Sequence, residues 1–300
     1  MNWWCSATAR NWTWTPRPYL GAWVMLLGVV ALAAWWHWRG RLKEPVLDAR
    51  EAAALEVGSG PYPGSGASRV VAFVFGIIGL WACLDWPLAT LGAGYLATAQ
   101  MVRQVLMVFA VAPLLLYACP PGLAVRLFGW GRRLTVLRWA ARPLLAIPVA
   151  AITLLAVNAP AILDPLVATP YGAFAMDLAW IVAGFVLWMP VQCPHPGVRR
   201  LEGAFALGYL ILQSIIPLLP GFFMTWADNA IYSTYDLAPR AIAGFDAVND
   251  QQTAAAILQV GGMIFLWIQI SFRFLHWGYQ ELEKDRQPRK PITETRATTS

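Results

Sequence analysis

One apolar stretch, from Tyr95 to Ala118, constrains the fold of this chain more than any other part of the sequence. It is long enough to cross a bilayer as a helix, because roughly 20 residues at 1.5 Å each span the hydrocarbon. It nevertheless contains Gln100, Arg103 and Gln104, whose spacing puts all three on one helical face. A charged side chain that faces lipid costs at least about 2.5–3.5 kcal/mol. This polar face is therefore expected to point inward, toward other helices or water.

The composition indicates a membrane protein. Hydrophobic residues make up 58% of the chain and charged residues only 13%, whereas a soluble domain has about 25% charged residues. The chain also contains 17 Trp, many of them at the ends of apolar stretches, as in an aromatic belt. The net charge of +6 lies in loops and a tail, so it does not indicate a nucleic-acid partner. The expected partner is the lipid bilayer.

The hydrophobic pattern predicts seven transmembrane helices, and so an all-α, multi-pass bundle. The predicted spans are Tyr19–Trp38, Val70–Trp86, Tyr95–Ala118, Leu144–Leu163, Ala173–Gln192, Ala204–Met224 and Thr253–Leu275. The second is the shortest, because Asp85, Trp86 and Pro87 interrupt it. Residues 1–280 are predicted to form one membrane domain, and residues 281–300 a polar, disordered cytoplasmic tail.

Basic residues are unevenly distributed among the predicted loops, and this sets the predicted orientation. Most lie in the loops after spans one, three and five and in the tail, whereas the other side has only Arg10, Arg17 and Arg240. Because basic residues concentrate on the cytoplasmic side, the N-terminus is predicted outside and the C-terminus in the cytoplasm. Residues 225–252 then form the one long outer loop, and residues 39–69 a flexible inner connector.

Polar residues on four predicted spans reach the same depth, in the outer half of the bilayer. They are Gln100, Arg103, Gln104, Asn158, Asp177, Asp250 and Gln251. One interpretation is a ligand, ion or proton site, because intramembrane charges are often functional. The other is a packing network in which Asp177 neutralises Arg103 through a bidentate ion pair. The sequence alone leaves both open.

Several short motifs, in a fixed order, resemble a known family. They are Gln100-Met-Val-Arg-Gln104, Ala112-Pro-Leu-Leu-Leu116 with Pro120, Pro160, Leu187-Trp-Met-Pro190, Tyr232-Ser-Thr-Tyr235, and Asp250-Gln-Gln-Thr-Ala254 with Gly261. Together they are similar to the seven-helix CtaG family of cytochrome c oxidase assembly factors, over about residues 70–278. The resemblance implies a protein of the respiratory chain in the bacterial cytoplasmic (inner) membrane. It also implies partners among the membrane subunits of a respiratory oxidase.

The chain departs from that family at its histidines. The family pattern has histidines where this chain has Gln100, Gln104, Asn158, Ala173 and Asp177. Since imidazole is a good copper ligand, these histidines would carry the family's proposed copper role. This chain has His37, His195 and His276, all predicted on the cytoplasmic side. The resemblance therefore implies an assembly role without copper handling at the outer cluster, and no cofactor is expected.

A second way to bind copper, through soft ligands, remains open. Thioether and thiol groups suit Cu(I), and Met101, Met176 and Cys83 are predicted near the outer side. Methionine in a helix is more often a packing residue, so these side chains are expected to fill the core. Cys5 is also predicted outside, and the sequence leaves open whether it pairs with Cys83.

Three functional hypotheses follow from the sequence. The first is an assembly or accessory protein of a haem-copper oxidase that docks to other membrane subunits. The second is a copper carrier with Met and Cys ligands, and the third is a small transporter with Arg103 in its path. An enzyme is not expected, because no nucleophile–base pair or metal triad can be assembled at one depth.

Overall fold

The computed structural model describes residues 3–7, 10–40, 66–129 and 131–286, and all regular secondary structure in these ranges is helical. The helices are α1 (Leu20–Gly40), α2 (Gly66–Leu84), α3 (Leu88–Gly94), α4 (Ala97–Val105), α5 (Ala112–Ala118), α6 (Pro121–Phe128), α7 (Arg132–Ala140), α8 (Pro143–Asn158), α9 (Pro160–Val167), α10 (Pro170–Gln192), α11 (Gly203–Gln213), α12 (Leu218–Trp226), α13 (Ser233–Asp236), α14 (Ala247–Ala256) and α15 (Gly262–Arg286). Short π-helices join α4 to α5 and α14 to α15. The predicted all-α class is confirmed for the described residues.

Five helical segments are long and apolar enough to cross a membrane. They are Gly66–Leu84, Ala97–Ala118, Pro170–Gln192, Gly203–Trp226 and Ala247–Tyr279. A sixth candidate is α7 together with α8, which are bent by 75° relative to each other. The apolar part of α1, Leu20–Trp35, falls below the length of a span. The described residues thus contain five or six candidate spans, and the seventh remains a prediction, as does the orientation.

Several boundaries differ from the predicted ones because prolines end or begin helices. Span four was predicted to reach Leu163, but α8 ends at Asn158 and Pro160 begins α9 after an extended Ala159. Span two ends at Leu84, ahead of the turn that contains Pro87.

The predicted outer loop and tail also contain more helix than expected. Residues 225–252 include α13 and the first turns of α14. α15 continues to Arg286, so the helix extends into the first six residues of the predicted tail. The rest of that tail, residues 287–300, and most of the inner connector, residues 41–65, lie outside the described residues.

The segment Ala97–Ala118 lies at the centre of the bundle, as its inward polar face predicts. It contacts α2, α10, α14 and α15 and buries more of its length than the other candidate spans. Its π-helix, Leu106–Val111, turns the carbonyl of Val108 toward the indole Nε1 of Trp188, which donates to it at 2.9 Å. Gly184 allows α10 to approach here, since a Cβ on it would lie 2.7 Å from the Cβ of Ala112.

Candidate intramembrane polar site

Arg103 lies at the centre of the predicted polar cluster, and all three nitrogens of its guanidinium donate hydrogen bonds to neighbouring groups. Its side chain is 2% exposed. Its Nη2 donates to both carboxylate oxygens of Asp177, at 2.7 and 2.8 Å. Its Nε donates to the carbonyl oxygen of Cys83 at 2.6 Å, and its Nη1 donates to Oε1 of Gln100 at 2.8 Å. The guanidinium also lies 5.6 Å from the ring centre of Trp180.

Asp177 has a second donor besides Arg103, the indole of Trp4. Trp4 Nε1 donates to Asp177 Oδ2 at 3.0 Å, and both side chains are buried. Asp177 projects from the second turn of α10, which Thr169 caps by accepting a hydrogen bond from the backbone N–H of Gly172. A buried carboxylate is tolerated only when it is paired and hydrogen-bonded, and Asp177 meets both conditions.

Trp4 belongs to a segment that the sequence does not connect with the polar cluster. Residues Trp3–Ala7, here called the strap, run across the bundle at the end where α10 begins. The carbonyl of Trp3 accepts from the N–H of Gly21 at 2.8 Å, and the N–H of Ala7 donates to the carbonyl of Val167 at 2.8 Å. Phe174 packs edge-on against Trp4, with ring centres 4.9 Å apart. The strap therefore covers the ion pair.

The two glutamines on the face of Arg103 have different environments. Gln100 accepts from Arg103, and its Nε2 lies 3.6 Å from Sδ of Met176 as a donor. Gln104 is 1% exposed, and its Oε1 has no hydrogen-bond partner among the described residues. Gly92 lets α3 approach this face, since a Cβ on it would lie 2.8 Å from Oε1 of Gln100. Gln100 thus belongs to the ion-pair network, whereas Gln104 lies beside it.

Asn158 does not join the network around Arg103. Its Nδ2 donates to the carbonyl of Leu154 at 2.6 Å, and its backbone carbonyl accepts from the hydroxyl of Tyr232 at 2.8 Å. The ring of Tyr232 lies edge-on to that of Tyr235, whose hydroxyl donates to the carbonyl of Gly92 at 2.7 Å. The two tyrosines therefore connect the end of α8 to α3.

Asp250 and Gln251 stabilise backbone ends instead of contacting Arg103. Asp250 accepts from the N–H groups of Ala97 and Thr98, at 2.6 and 3.0 Å, and so caps α4 from another helix. Gln251 Oε1 accepts from the N–H of Ile231 at 2.7 Å, and its Nε2 donates to the carbonyl of Met224 at 3.0 Å. Both side chains are buried.

The residues at this site do not fit a copper ion as a group. Both oxygens of Asp177 accept hydrogen bonds from a guanidinium, which is a cation. Met176 faces the amide of Gln100, and the thiol of Cys83 points to the carbonyl of Arg103 at 3.9 Å. Met101 is fully buried in the hydrophobic core. Within the described part of the chain, no three His, Cys, Asp or Glu side chains are grouped as a metal site would need.

The remaining histidines lie away from this cluster, and the described cysteines form no disulfide. His195 follows the far end of α10, and His276 is exposed on α15, while the side chain of His37 lies outside the described residues. Cys5 and Cys83 are both buried and free, so the structure contains no disulfide between them.

Taken together, these contacts form a closed network of one cation, one anion and their neutral donors and acceptors. Its members come from the strap, α2, α4 and α10. A bidentate guanidinium–carboxylate pair with its remaining groups satisfied is suited to holding helices in register.

The comparison with known proteins identifies the family. The chain has no significant match among curated proteins or among solved structures. A family model described as cytochrome c oxidase caa3 assembly factor matches residues 53–278, which include every member of the network except Trp4. Because this match covers most of the chain, the protein belongs to the cytochrome c oxidase caa3 assembly factor family.

Proposed function

We propose that this protein is a non-catalytic assembly factor of a haem-copper cytochrome c oxidase, and that it acts by docking to other membrane subunits of that oxidase. Membership of the family supports the oxidase as partner. The observation that supports this mode of action is the Arg103–Asp177 pair, in which both carboxylate oxygens of Asp177 accept hydrogen bonds from Arg103. A protein whose intramembrane charges neutralise each other needs no metal or substrate to satisfy them.

The proposal assigns the network a structural role in place of a metal centre. Three of the five positions at which the resemblance expects histidines are occupied by groups that bind Arg103 or lie beside it, whereas Asn158 and Ala173 are not part of the network. Gln100 and Asp177 are hydrogen-bonded to its guanidinium, and Gln104 lies one turn further along the same face. On this proposal the ion pair joins α4 and α10, the task that a shared metal ion would otherwise perform.

The proposed location is the bacterial cytoplasmic membrane, with seven spans and an outer N-terminus. The apolar candidate spans support a membrane location. α1 contains 21 residues, which corresponds to a helix of about 30 Å, and would be the additional span. The basic residues of α6 and α7 would then face the cytoplasm.

Copurification with a tagged oxidase subunit, combined with metal analysis of the isolated protein, tests the proposal. We expect the protein to be recovered with the tagged subunit and to contain well under one copper per chain. A matched control is the same preparation from cells with an unrelated tagged membrane protein. Failure to copurify, together with normal oxidase assembly in cells that lack the protein, would contradict the docking role.

Metal content distinguishes the proposed assembly role from the copper-carrier alternative. Stoichiometric copper in the unmodified chain would favour the copper carrier, and Met101→Leu and Met176→Leu would then be the first variants to test. The proposal expects both variants to leave the copper content unchanged and low.

A further inference from the structure

A second region, distant from the ion pair, combines positive charge with an exposed apolar groove. It lies at the bend between α7 and α8, where the two helices meet at 75°. α8 is apolar along its length and α7 is not, which is the pattern expected of a helix that enters a bilayer and a helix that lies along its surface. We call the bend, from Arg132 to Leu145, the elbow.

The two faces of α7 fit a helix that lies in a membrane interface. Leu134 and Leu137, three residues apart, are buried against the rest of the protein. On the other side Val136 is 70% exposed and Trp139 is 53% exposed. Arg132 and Arg133 are exposed at the start of the helix. An exposed Trp and exposed arginines on one short helix are typical of contact with lipid headgroups.

The charge of the elbow is unbalanced. No Asp or Glu occurs between Asp85 and Asp164, whereas the loop region from Arg126 to Arg142 contains five arginines. Arg138 donates from Nε to the carbonyl of Gly197 at 3.0 Å, and no carboxylate among the described residues pairs with it. Among the described residues, the guanidinium of Arg142 has no hydrogen-bond acceptor and lies 4.6 Å from the ring centre of Trp139.

A groove of about 530 Å³ is lined by these two side chains and by Pro143, Leu144 and Leu145. Its lining is apolar apart from the guanidinium at its edge, and Leu144 is 88% exposed. A guanidinium beside an apolar groove at the start of a spanning helix matches the two parts of a phospholipid. The phosphate can accept from Arg142, and an acyl chain can lie along Leu144.

We propose that the elbow binds an anionic phospholipid, with Arg142 and Trp139 at the headgroup and Leu144 and Leu145 along an acyl chain. The occupant is a lipid and not a soluble anion, because the groove is apolar and opens at the end of a candidate span. It is anionic because Arg142 lines the groove, four further arginines lie between Arg126 and Arg138, and no described carboxylate lines it. The proposal does not depend on the oxidase as partner.

Native mass spectrometry of the purified full chain tests this proposal, with dioleoyl phosphatidylglycerol and dioleoyl phosphatidylcholine added in turn at equal concentration. We expect phosphatidylglycerol to be retained several times more than phosphatidylcholine. Arg142→Gln should lower its retention about fivefold, the size expected for one basic residue at an anionic surface. Arg10→Gln, which removes an exposed arginine at the predicted outer side, should leave retention unchanged.

Two further variants separate loss of the site from loss of the fold. Arg142→Lys should retain most of the phosphatidylglycerol, because it keeps the charge, and Trp139→Ala should lose retention while its melting temperature stays near that of the parent. Equal retention of the two lipids, or the same retention in Arg142→Gln as in the parent, would overturn the proposal. Binding of an acidic peptide but not of phosphatidylglycerol would also overturn it, in favour of a protein partner.

Discussion

Arg103 and Asp177 lie 74 residues apart in the sequence and form a buried ion pair at 2.7 Å. Each charge alone would be expensive in an apolar environment, since breaking a buried pair by removing one partner costs about 3–5 kcal/mol. The depth of the two residues in their predicted spans was enough to suggest the pair. The third group, Trp4, was missed because no local pattern connects it with a carboxylate 173 residues away.

The ion pair predicts a specific pattern in a double-mutant experiment. Arg103→Leu and Asp177→Leu should each lower the melting temperature in detergent, because each leaves an uncompensated buried charge. The double variant should recover part of the loss, since it buries no charge. Arg10→Leu, at an exposed arginine, is the control and should have little effect. Strictly additive losses would show that the two residues are not energetic partners.

Trp4 predicts a smaller effect with a chemical readout. Trp4→Phe removes the hydrogen bond to Asp177 and keeps most of the ring, so it should cost about 1–3 kcal/mol, less than Trp4→Ala.

The neighbouring residue, Cys5, reports on whether the strap covers the cluster. Burial raises the pKa of its thiol to about 11, so at pH 8 much less of it is thiolate than of an ordinary cysteine.

Maleimide labelling of Cys5 measures this prediction in a variant without the other three cysteines. Labelling at pH 8 should be slow in the parent and faster in Trp4→Ala, because a displaced strap exposes the thiol and lowers its pKa toward 9.0. Rapid labelling in the parent would show that the strap does not cover the cluster in solution.

At the scale of elements, three buried or partly buried acids hold the start of a helix from a different part of the chain. Asp250 accepts from the first N–H groups of α4, and Asp164 accepts from Ser233 and Thr234 at the start of α13. Asp85 accepts from the N–H of Tyr19, just before α1. The N-cap residue of α4, Leu96, has no side chain that can cap, so another helix supplies the acceptor.

The cap at α4 predicts a stability loss that is separate from the ion pair. Asp250→Ala should destabilise the protein by about 1–2 kcal/mol or more, because it leaves the N–H groups of Ala97 and Thr98 without their acceptor. Asp250→Asn should have an intermediate effect, since one of two oxygens remains. Thermal unfolding in detergent measures both, and Asp228→Ala, at an exposed loop residue, is the control. A loss no larger than that of the control would contradict the capping role.

At the scale of the whole molecule, the arginines define two sides. The elbow and α6 carry five of those described, whereas Arg10 and Arg240 lie toward the strap and α13. If the chain has seven spans with an outer N-terminus, Asp246 and Arg132 are on opposite sides of the membrane.

Labelling in intact cells tests this arrangement. A membrane-impermeant maleimide should react with a cysteine introduced at Asp246 and should not react with one introduced at Arg132, in the variant without native cysteines. The side chains of Asp246 and Arg132 are both exposed in the structure, so burial does not limit the reaction. Labelling of both from the same side would disprove the predicted topology.

The sequence alone determined the properties that depend on composition and on contacts along one helix. Long apolar stretches must be helical in a bilayer, because their backbone groups have no other partners there, and this determined the fold class. The spacing of Gln100, Arg103 and Gln104 determined the inward face of α4. Only the tertiary structure decided which groups meet that face. Trp4 and Cys83 bind the pair while Asn158 and Asp250 bind backbone elsewhere, because hydrogen-bond partners are selected by distances of about 3 Å that depend on how separate helices pack.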